Sequence, residues 1–234
     1  MDPTKAKEVV IPSGTARLKA IFLLPLRVKG VVAFAHGSGS GRLSPRNNFV
    51  AQVLQEAGIA TLLADLLEEH EALDRKYVFN IGLLADRLLT NSQWLRQIPE
   101  TRRMPLGYFG ASTGAAAALQ AAAREPDGVA AVVSRGGRPD LAIDYVHLVQ
   151  SPTLLIVGAE DRSVIPLNEL AYKKLVSPKE MVVIPGATHL FEEPGTLERV
   201  AELARDWFVK YFALGTKEDV MKKSEPMTSK KTTE

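Results

Sequence analysis

A serine flanked by glycines is the feature that most constrains what this chain can fold into. Ser112 lies in the pentapeptide at residues 110–114, between an apolar run at 105–109 that predicts a strand and a small-residue run at 115–123 that predicts a helix. In a G-x-S-x-G turn between a strand and a helix, the glycines remove side chains that would collide. The serine is then held in a strained conformation, at a cost of roughly 1–3 kcal/mol. We therefore expect its hydroxyl above the edge of a sheet, beside the positive end of a helix.

Predicted strands and helices alternate along the rest of the chain. Short apolar runs predict strands at residues 9–11, 17–24, 31–35, 59–64, 129–133, 153–157 and 181–184. Helical periodicity predicts helices at residues 48–57, 81–98, 167–175 and 196–212. Such alternation is typical of an α/β fold in which helices cover both faces of a mostly parallel sheet.

The composition is even over most of the chain, so we expect a single domain at residues 1–214. Residues 215–234 are rich in Lys, Glu, Ser and Thr, which predicts a flexible polar C-terminal tail, solvated rather than a binding arm. The connection between residues 133 and 153 is too short for a large helical cap. A site without a cap would be open and would suit small, soluble molecules.

Composition also excludes several classes of function. At 234 residues the chain can bury one sizeable core, and a formal net charge of +2 is too small to indicate a nucleic-acid partner. No run approaches the roughly 18 apolar residues of a membrane span, and the N-terminus lacks the apolar segment of a signal peptide. Cysteine is absent, which excludes disulfides, thiolate zinc sites and a cysteine nucleophile. We expect a cytoplasmic protein, monomeric or homodimeric, with no cofactor and no metal.

A serine hydroxyl needs a base to accept its proton, and the chain has four histidines. His36 ends a predicted strand, His70 lies among glutamates, and His147 lies in a short connection. His189 follows Ser112 in the chain and comes directly after a predicted strand, at the edge where the carboxyl ends of parallel strands gather. We therefore predict that His189 is the base.

An acid that orients the histidine should lie on the loop after the penultimate strand. There Asp161 ends a Gly-Ala-Glu-Asp turn, from which its carboxylate can reach the loop that carries His189. Glu160 beside it, and Asp140 after the preceding strand, remain alternatives. Asp161 could instead cap the next helix, but that predicted helix begins several residues later. We predict that Asp161 orients the histidine.

Two backbone N–H groups should stabilise the negative charge that develops on an attacked carbonyl oxygen. One is the amide of Thr113, the residue after the serine. The other should come from the glycine-rich loop at residues 36–41, where Ser38 is the first choice and Gly37 the second. This loop lacks the Gly-Lys-Ser/Thr ending of a phosphate-binding P-loop.

Together these motifs resemble the α/β-hydrolase superfamily and, within it, the dienelactone hydrolase-like branch. The resemblance is carried by residues 36–40, 110–114, 158–161 and 186–189, and by segments 60–67 and 134–140, which look like a subgroup of bacterial and archaeal hydrolases. It implies a Ser-His-Asp hydrolase, and some relatives of this kind are fused to a phosphoribosyltransferase domain. Dienelactone hydrolases proper use a cysteine nucleophile. Because this chain has Ser112 and no cysteine, an ordinary serine esterase is favoured over dienelactone hydrolysis.

Arginines near these motifs suggest what the site accepts. Guanidinium groups bind carboxylate and phosphate through two parallel hydrogen bonds, which favours an anionic substrate. The candidate substrate-binding residues are Gly37, Arg42, Arg46 and Arg135, and Arg138 also follows a predicted strand. The alternative is that these arginines pair with acidic residues of the chain itself, namely Asp65, Glu68, Glu69 or Asp140.

The leading prediction is thus a metal-independent serine hydrolase that cleaves a carboxylic ester of a small soluble substrate through an acyl-enzyme. A thioesterase or acyltransferase would use the same residues. The alternative from another class is a non-catalytic ligand-binding or sensor protein on the same scaffold, because a fold does not determine a function. Ligand binding without turnover of any ester would distinguish that alternative.

Overall fold

The computed structural model describes residues 6–214, which form an eight-stranded sheet with helices on both faces. The strands are β1 (Lys7–Ser13), β2 (Ala16–Leu23), β3 (Gly30–Ala35), β4 (Ile59–Ala64), β5 (Leu106–Ala111), β6 (Ala131–Arg135), β7 (Thr153–Gly158) and β8 (Lys179–Ile184). Their order across the sheet is β1-β2-β4-β3-β5-β6-β7-β8. Strand β2 is antiparallel to both of its neighbours, and the strands from β4 to β8 across the sheet are parallel.

The helices cover the two faces of this sheet in separate groups. In chain order they are α1 (Pro45–Glu56), α2 (Glu69–Ala72), α3 (Arg75–Val78), α4 (Ile81–Gln97), α5 (Thr113–Arg124), α6 (Ile143–Val146), α7 (Ile165–Lys174) and α8 (Thr196–Ala213), with a 3₁₀ helix at Pro139–Ala142. Helices α1 and α8 pack on one face, around a cluster that includes Phe34, Phe109 and Phe208. Helices α4, α5 and α7 cover the opposite face, around a cluster that includes Tyr108 and Leu119.

The burial of the central strands explains why the sequence contains continuous apolar runs at these positions. Every residue of β3, β4, β5 and β7 is buried, as expected for strands covered by helices on both faces. The carboxyl ends of these parallel strands meet at one edge of the sheet, so the loops after β3, β5, β6, β7 and β8 gather there. The predicted α/β fold is confirmed.

Two predicted boundaries were wrong in ways that matter for the site. Strand β6 does not end at residue 133, because Ser134 and Arg135 continue the ladder and pair with Gly110 and Ala111 of β5. Arg135 is therefore the last residue of a strand rather than part of a loop. Helix α1 begins at Pro45 rather than at residue 48, because the Ser44 side chain caps it and proline suits the first turn.

Several short helices were not predicted, because a four-residue helix has no readable periodicity. The connection between β6 and β7 holds the 3₁₀ helix and α6, and no large cap covers the sheet edge there. The predicted C-terminal tail at residues 215–234 lies outside the described residues. Across residues 6–214, every helix is too short or too polar to cross a membrane.

Candidate active site

The turn between β5 and α5 has the strained geometry that the glycine pattern predicts. Ser112 has φ 51° and ψ −121°, a positive φ that is uncommon for a residue with a side chain. The turn is held by its backbone: the Ser112 N–H donates to the carbonyl of Arg135 at 3.2 Å, and the Arg138 N–H donates to the carbonyl of Ser112 at 3.1 Å. Hydrogen bonds to β6 and to the loop that follows it therefore hold Ser112 in a strained backbone conformation.

The two flanking glycines are required by close packing on either side of the turn. A side-chain carbon on Gly110 would collide with the backbone of Ala115 in α5, and one on Gly114 would collide with the carbonyl of Ala35 at the end of β3. The pentapeptide thus brings α5, β5 and the loop after β3 together around Ser112.

Asp161 and His189 are in direct contact at this edge of the sheet. The Nδ1 of His189 lies 2.6 Å from Oδ2 of Asp161, a distance typical of a charge-assisted hydrogen bond. With Nδ1 donating, the other ring nitrogen, Nε2, is left as a proton acceptor. The Asp161 side chain is 9% exposed and that of His189 is 38% exposed, so the acid is covered and the imidazole is open to a ligand.

The alternative acids have other partners. Glu160 pairs with Arg162 at the surface, and both carboxylate oxygens of Asp140 accept hydrogen bonds from Arg138 at 2.9 and 2.7 Å. Of the candidate acids, Asp161 is the one that contacts His189.

Ser112 itself is not hydrogen-bonded to His189. Within residues 6–214 its hydroxyl makes no hydrogen bond. Catalytic hydrogen bonds are often long in the absence of substrate and tighten when it binds.

The loop after β8 holds His189 through the residues that follow it. Phe191 has φ 56°, and its side chain is fully buried in the core under α1 and α8. Because an aromatic residue with positive φ is strained, burial of the ring must compensate for the backbone. Phe191 anchors the histidine loop to the core, a role that nothing in the sequence pattern predicted.

The loop after β3 is held against the turn at Ser112 by one hydrogen bond and one close backbone approach. The Ser38 N–H donates to Oγ1 of Thr113 at 3.1 Å, which engages an amide predicted to face the oxyanion. Gly37, the second choice, passes close enough that an added side-chain carbon would lie 2.9 Å from Cβ of Ser112. Both residues thus line the serine, and Ser38 already has a partner.

His36 positions the loop after β3 through its ring nitrogens. Its Nε2 accepts the Leu66 N–H at 2.8 Å, so its Nδ1 carries the proton and donates to the carbonyl of Gly37 at 3.0 Å. Burial lowers the pKa of His36 below its ordinary value of 6.5, which keeps the ring neutral. A histidine directly at the end of a buried strand was the available signal for this structural role.

The candidate arginines divide into paired and unpaired groups. Arg42 pairs with Asp65 at 2.5 Å and Arg138 pairs with Asp140. These two arginines therefore follow the alternative prediction, that they pair with acidic residues of the chain itself. Glu69 and Glu68 take other partners: the Lys19 ammonium at 2.7 Å and the Arg17 N–H at 3.0 Å.

Arg46 is paired as well, with an acid from a distant segment, whereas Arg135 is not paired with a carboxylate of residues 6–214. Arg46 donates to Glu192 at 2.9 Å, a partner that the sequence analysis missed because 146 positions separate the two residues. Arg135 is buried and, within the described part of the chain, forms no ion pair with a carboxylate.

An open cleft of about 410 Å³ lies beside these residues. It is lined by Ser38, Gly39, Ser40, Gly41, Arg42, Leu43, Ser44, Pro45, Arg46 and Asp65. The cleft thus runs from the loop beside Ser112 to the first turn of α1. Its volume is in the range of small-molecule sites.

A group of residues with metal-ligand chemistry lies elsewhere. Ligand atoms of Glu68, His70 and Glu71 lie within 4.8 Å of one another. Both oxygens of Glu71 are already bound by Arg87, so this carboxylate serves an ion pair.

Comparison with known proteins adds an independent line of evidence. The chain is 53% identical over 209 residues to proteins called putative phosphoribosyl transferase in two strains of Mycobacterium tuberculosis, which covers 89% of this chain and 47% of theirs. The chain therefore spans about half the length of these curated relatives.

Solved structures are similar over their whole length. A dienelactone hydrolase from Anabaena variabilis is 52% identical, with a TM-score of 0.86 over 89% of this chain and 99% of that one. A dienelactone hydrolase-like promiscuous phosphotriesterase from metagenomic libraries is 20% identical, with a TM-score of 0.71 over 88% and 98%, a likeness that shows the fold alone.

The family model and the 52% identical dienelactone hydrolase structure support a hydrolytic role. The model of the dienelactone hydrolase family matches residues 23–213, which is most of the chain. This protein therefore belongs to the dienelactone hydrolase family.

Proposed function

We propose that this protein is a serine hydrolase that cleaves a carboxylic ester of a small, soluble, anionic substrate in the cytoplasm. The observation that carries the proposal is the 2.6 Å contact between His189 and Asp161, at the same sheet edge as the strained Ser112. A buried carboxylate that fixes a half-exposed imidazole is the arrangement that a general base requires.

In the proposed mechanism Ser112 attacks the ester carbonyl and His189 accepts the hydroxyl proton. Asp161 holds the imidazole in the tautomer whose Nε2 faces the serine and stabilises the imidazolium that forms. The imidazolium then donates its proton to the alcohol, which leaves as the acyl-enzyme forms. Water activated by the same histidine releases the acid and restores Ser112.

We assign the first oxyanion donor to the Thr113 amide, at the start of α5, where the positive end of the helix adds to the effect. The second donor is the amide of Ser38 or of Gly37. The contact from the Ser38 N–H to the Thr113 hydroxyl favours Gly37 as the amide that faces the oxyanion, with Ser38 holding the loop against the elbow.

The name of the curated relatives does not change this proposal. The matched segment covers 47% of their length, and the dienelactone hydrolase model covers residues 23–213 of the present chain. A thioester or acyl-transfer reaction would use the same three residues.

Labelling with a fluorophosphonate probe tests the proposal, because the probe modifies a serine activated by a base and an oxyanion hole. We expect an adduct on Ser112, located by mass spectrometry, that disappears in Ser112→Ala and His189→Ala. Asp161→Asn should lower kcat for an activated ester by about 10³–10⁴-fold, because the histidine loses its orienting partner. Glu160→Gln is the matched control and should leave kcat unchanged, because Glu160 pairs with Arg162 at the surface.

A folded protein that is neither labelled nor active on ester and thioester panels would overturn the hydrolase assignment. A binding or sensor role would then replace it. Turnover of thioesters with no turnover of oxygen esters would instead correct the class of acyl substrate.

A further inference from the structure

Arg135 is a buried cation without a counterion among the described residues. It is 7% exposed, and its Nε is buried with no hydrogen-bond partner. One terminal nitrogen lies 3.5 Å from Oδ1 of Asn47, at the limit of a hydrogen bond, and the guanidinium carbon lies 5.9 Å from the centre of the Phe191 ring. A neutral amide oxygen and an aromatic ring are weak substitutes for a carboxylate.

The surroundings of Arg135 are positive rather than negative. Burial, and to a smaller extent the charge of Arg46, lower the pKa of Arg135 to about 10. Even at this value the guanidinium is charged at neutral pH. One terminal nitrogen of Arg46 donates to Glu192, whose side chain is exposed, whereas the Nε of Arg46 is buried without a partner. The first turn of α1, where Arg46 and Asn47 lie, contains no acidic residue.

Arg135 is tied to the candidate nucleophile through the backbone. It pairs with Ala111, the residue before Ser112, and its carbonyl accepts the Ser112 N–H. Phe191, which its guanidinium faces, lies two positions after His189. Arg46 lines the same open cleft as Ser38, the neighbour of Gly37 in the loop beside Ser112.

We propose that Arg135 and Arg46, with the Asn47 amide and the N-terminus of α1, form a subsite for an oxyanion carried by the substrate. The shared chemistry is a carboxylate or a phosphate monoester, which the planar guanidinium groups bind through paired hydrogen bonds. The proposal rests on the proposed function, because it places this anion on the molecule whose ester Ser112 attacks. Arg42 is not part of the subsite, because Asp65 neutralises it.

A ratio of two substrates tests the subsite in turnover. We would compare kcat/KM for 4-nitrophenyl hemisuccinate, which carries a free carboxylate, with its neutral methyl ester. Arg135→Gln should lower the anionic-to-neutral ratio by roughly 10- to 100-fold, the loss expected for a hydrogen bond to a charged group. Arg138→Gln is the matched control and should leave the ratio unchanged, because Arg138 pairs with Asp140. An equal fall for both esters in Arg135→Gln would overturn the proposal.

Binding without turnover separates this proposal from the hydrolase assignment. At constant ionic strength, inorganic phosphate or succinate should raise the melting temperature of Ser112→Ala protein, and the rise should vanish in Ser112→Ala/Arg135→Gln. Phosphate and succinate are measured separately, so the larger rise identifies the anion. No rise with either anion would overturn the subsite, whether or not esters are hydrolysed. If Arg135→Gln does not fold, Arg46→Gln provides both readouts.

Discussion

Two arginines are almost equally buried in this molecule, and their surroundings are opposite. Arg87 in α4 is 5% exposed and donates to both carboxylate oxygens of Glu71, at 2.5 and 2.7 Å, and to the Leu66 carbonyl at 2.8 Å. Arg135 is 7% exposed and has the Asn47 amide at 3.5 Å as its nearest acceptor. A guanidinium whose donors are saturated holds protein segments together, whereas one whose donors are unused is available to a ligand.

The saturated arginine supports the candidate site from a distance. Arg87 holds the carbonyl of Leu66, and the N–H of the same residue donates to His36, which in turn holds the Gly37 carbonyl. A chain of hydrogen bonds thus runs from α4 to the loop beside Ser112. At one end of this series of hydrogen bonds, Arg87 and Glu71 stabilise the fold. At the other end, His36 holds Gly37, whose loop is proposed to donate a hydrogen bond to the oxyanion.

The largest expected effect is on stability at the saturated arginine. Arg87→Met leaves the Glu71 carboxylate buried without its partner, so we expect the free energy of unfolding to fall by about 3–5 kcal/mol. Urea denaturation at pH 7 measures the change. The double variant Arg87→Met/Glu71→Leu should recover most of the loss, because it removes both charges. A loss below about 1 kcal/mol in the single variant would mean that the pair is solvated, as surface pairs are.

The pH dependence of stability should show separate contributions from Glu71 and His36. Hydrogen bonds from Arg87 lower the pKa of Glu71 below its ordinary 4.5, so its stabilisation is complete above that pH and is lost as the pH falls through the lower folded value. Burial lowers the pKa of His36, so the unfolded chain takes up this proton first and stability declines as the pH falls below 6.5. Unfolding between pH 7.5 and 3.5 should show both declines.

Variants identify the two declines. His36→Gln should remove the decline that begins near pH 6.5, and Arg87→Met should reduce the more acidic one. A wild-type stability that stays constant from pH 7.5 to pH 5 would contradict the neutral, buried state of His36.

A smaller effect is expected at Arg135, where substitution should leave the free energy of unfolding almost unchanged or raise it. Arg135→Met removes a buried cation that has no counterion among residues 6–214 and that is repelled by Arg46, so the free energy of unfolding should stay within about 1 kcal/mol of wild type or rise. Urea denaturation without added anions measures this, beside Arg87→Met as the contrasting variant. Destabilisation of about 3 kcal/mol or more would show that Arg135 holds the fold as Arg87 does.

The fold and the strained turn at Ser112 could be predicted from the sequence because both depend on local patterns. The apolar runs of β3, β5 and β7 reflect burial on both faces, and the flanking glycines of Ser112 reflect contacts that leave no room for a side chain. The contrast between Arg87 and Arg135 could not be predicted in the same way. Whether an arginine pairs with a carboxylate depends on residues from distant segments of the chain. The polar Ser134 and Arg135 indicated a loop, but in the structure they belong to β6 and pair with β5.

The smallest expected effect concerns Glu192, a carboxylate that contacts Arg46 and so competes with a ligand for the proposed subsite. Glu192 accepts from Arg46 at 2.9 Å, but its side chain is 61% exposed, so Glu192→Gln should change stability by only about 0.2–1 kcal/mol. Because Glu192 occupies donors that an anion would use, the same change should strengthen the binding of phosphate or succinate, measured by calorimetry. Glu160→Gln, which removes another exposed carboxylate of similar pairing, is the control for net charge. Equal gains in both variants would assign the effect to long-range charge, and a gain confined to Glu192→Gln would place the anion beside Arg46.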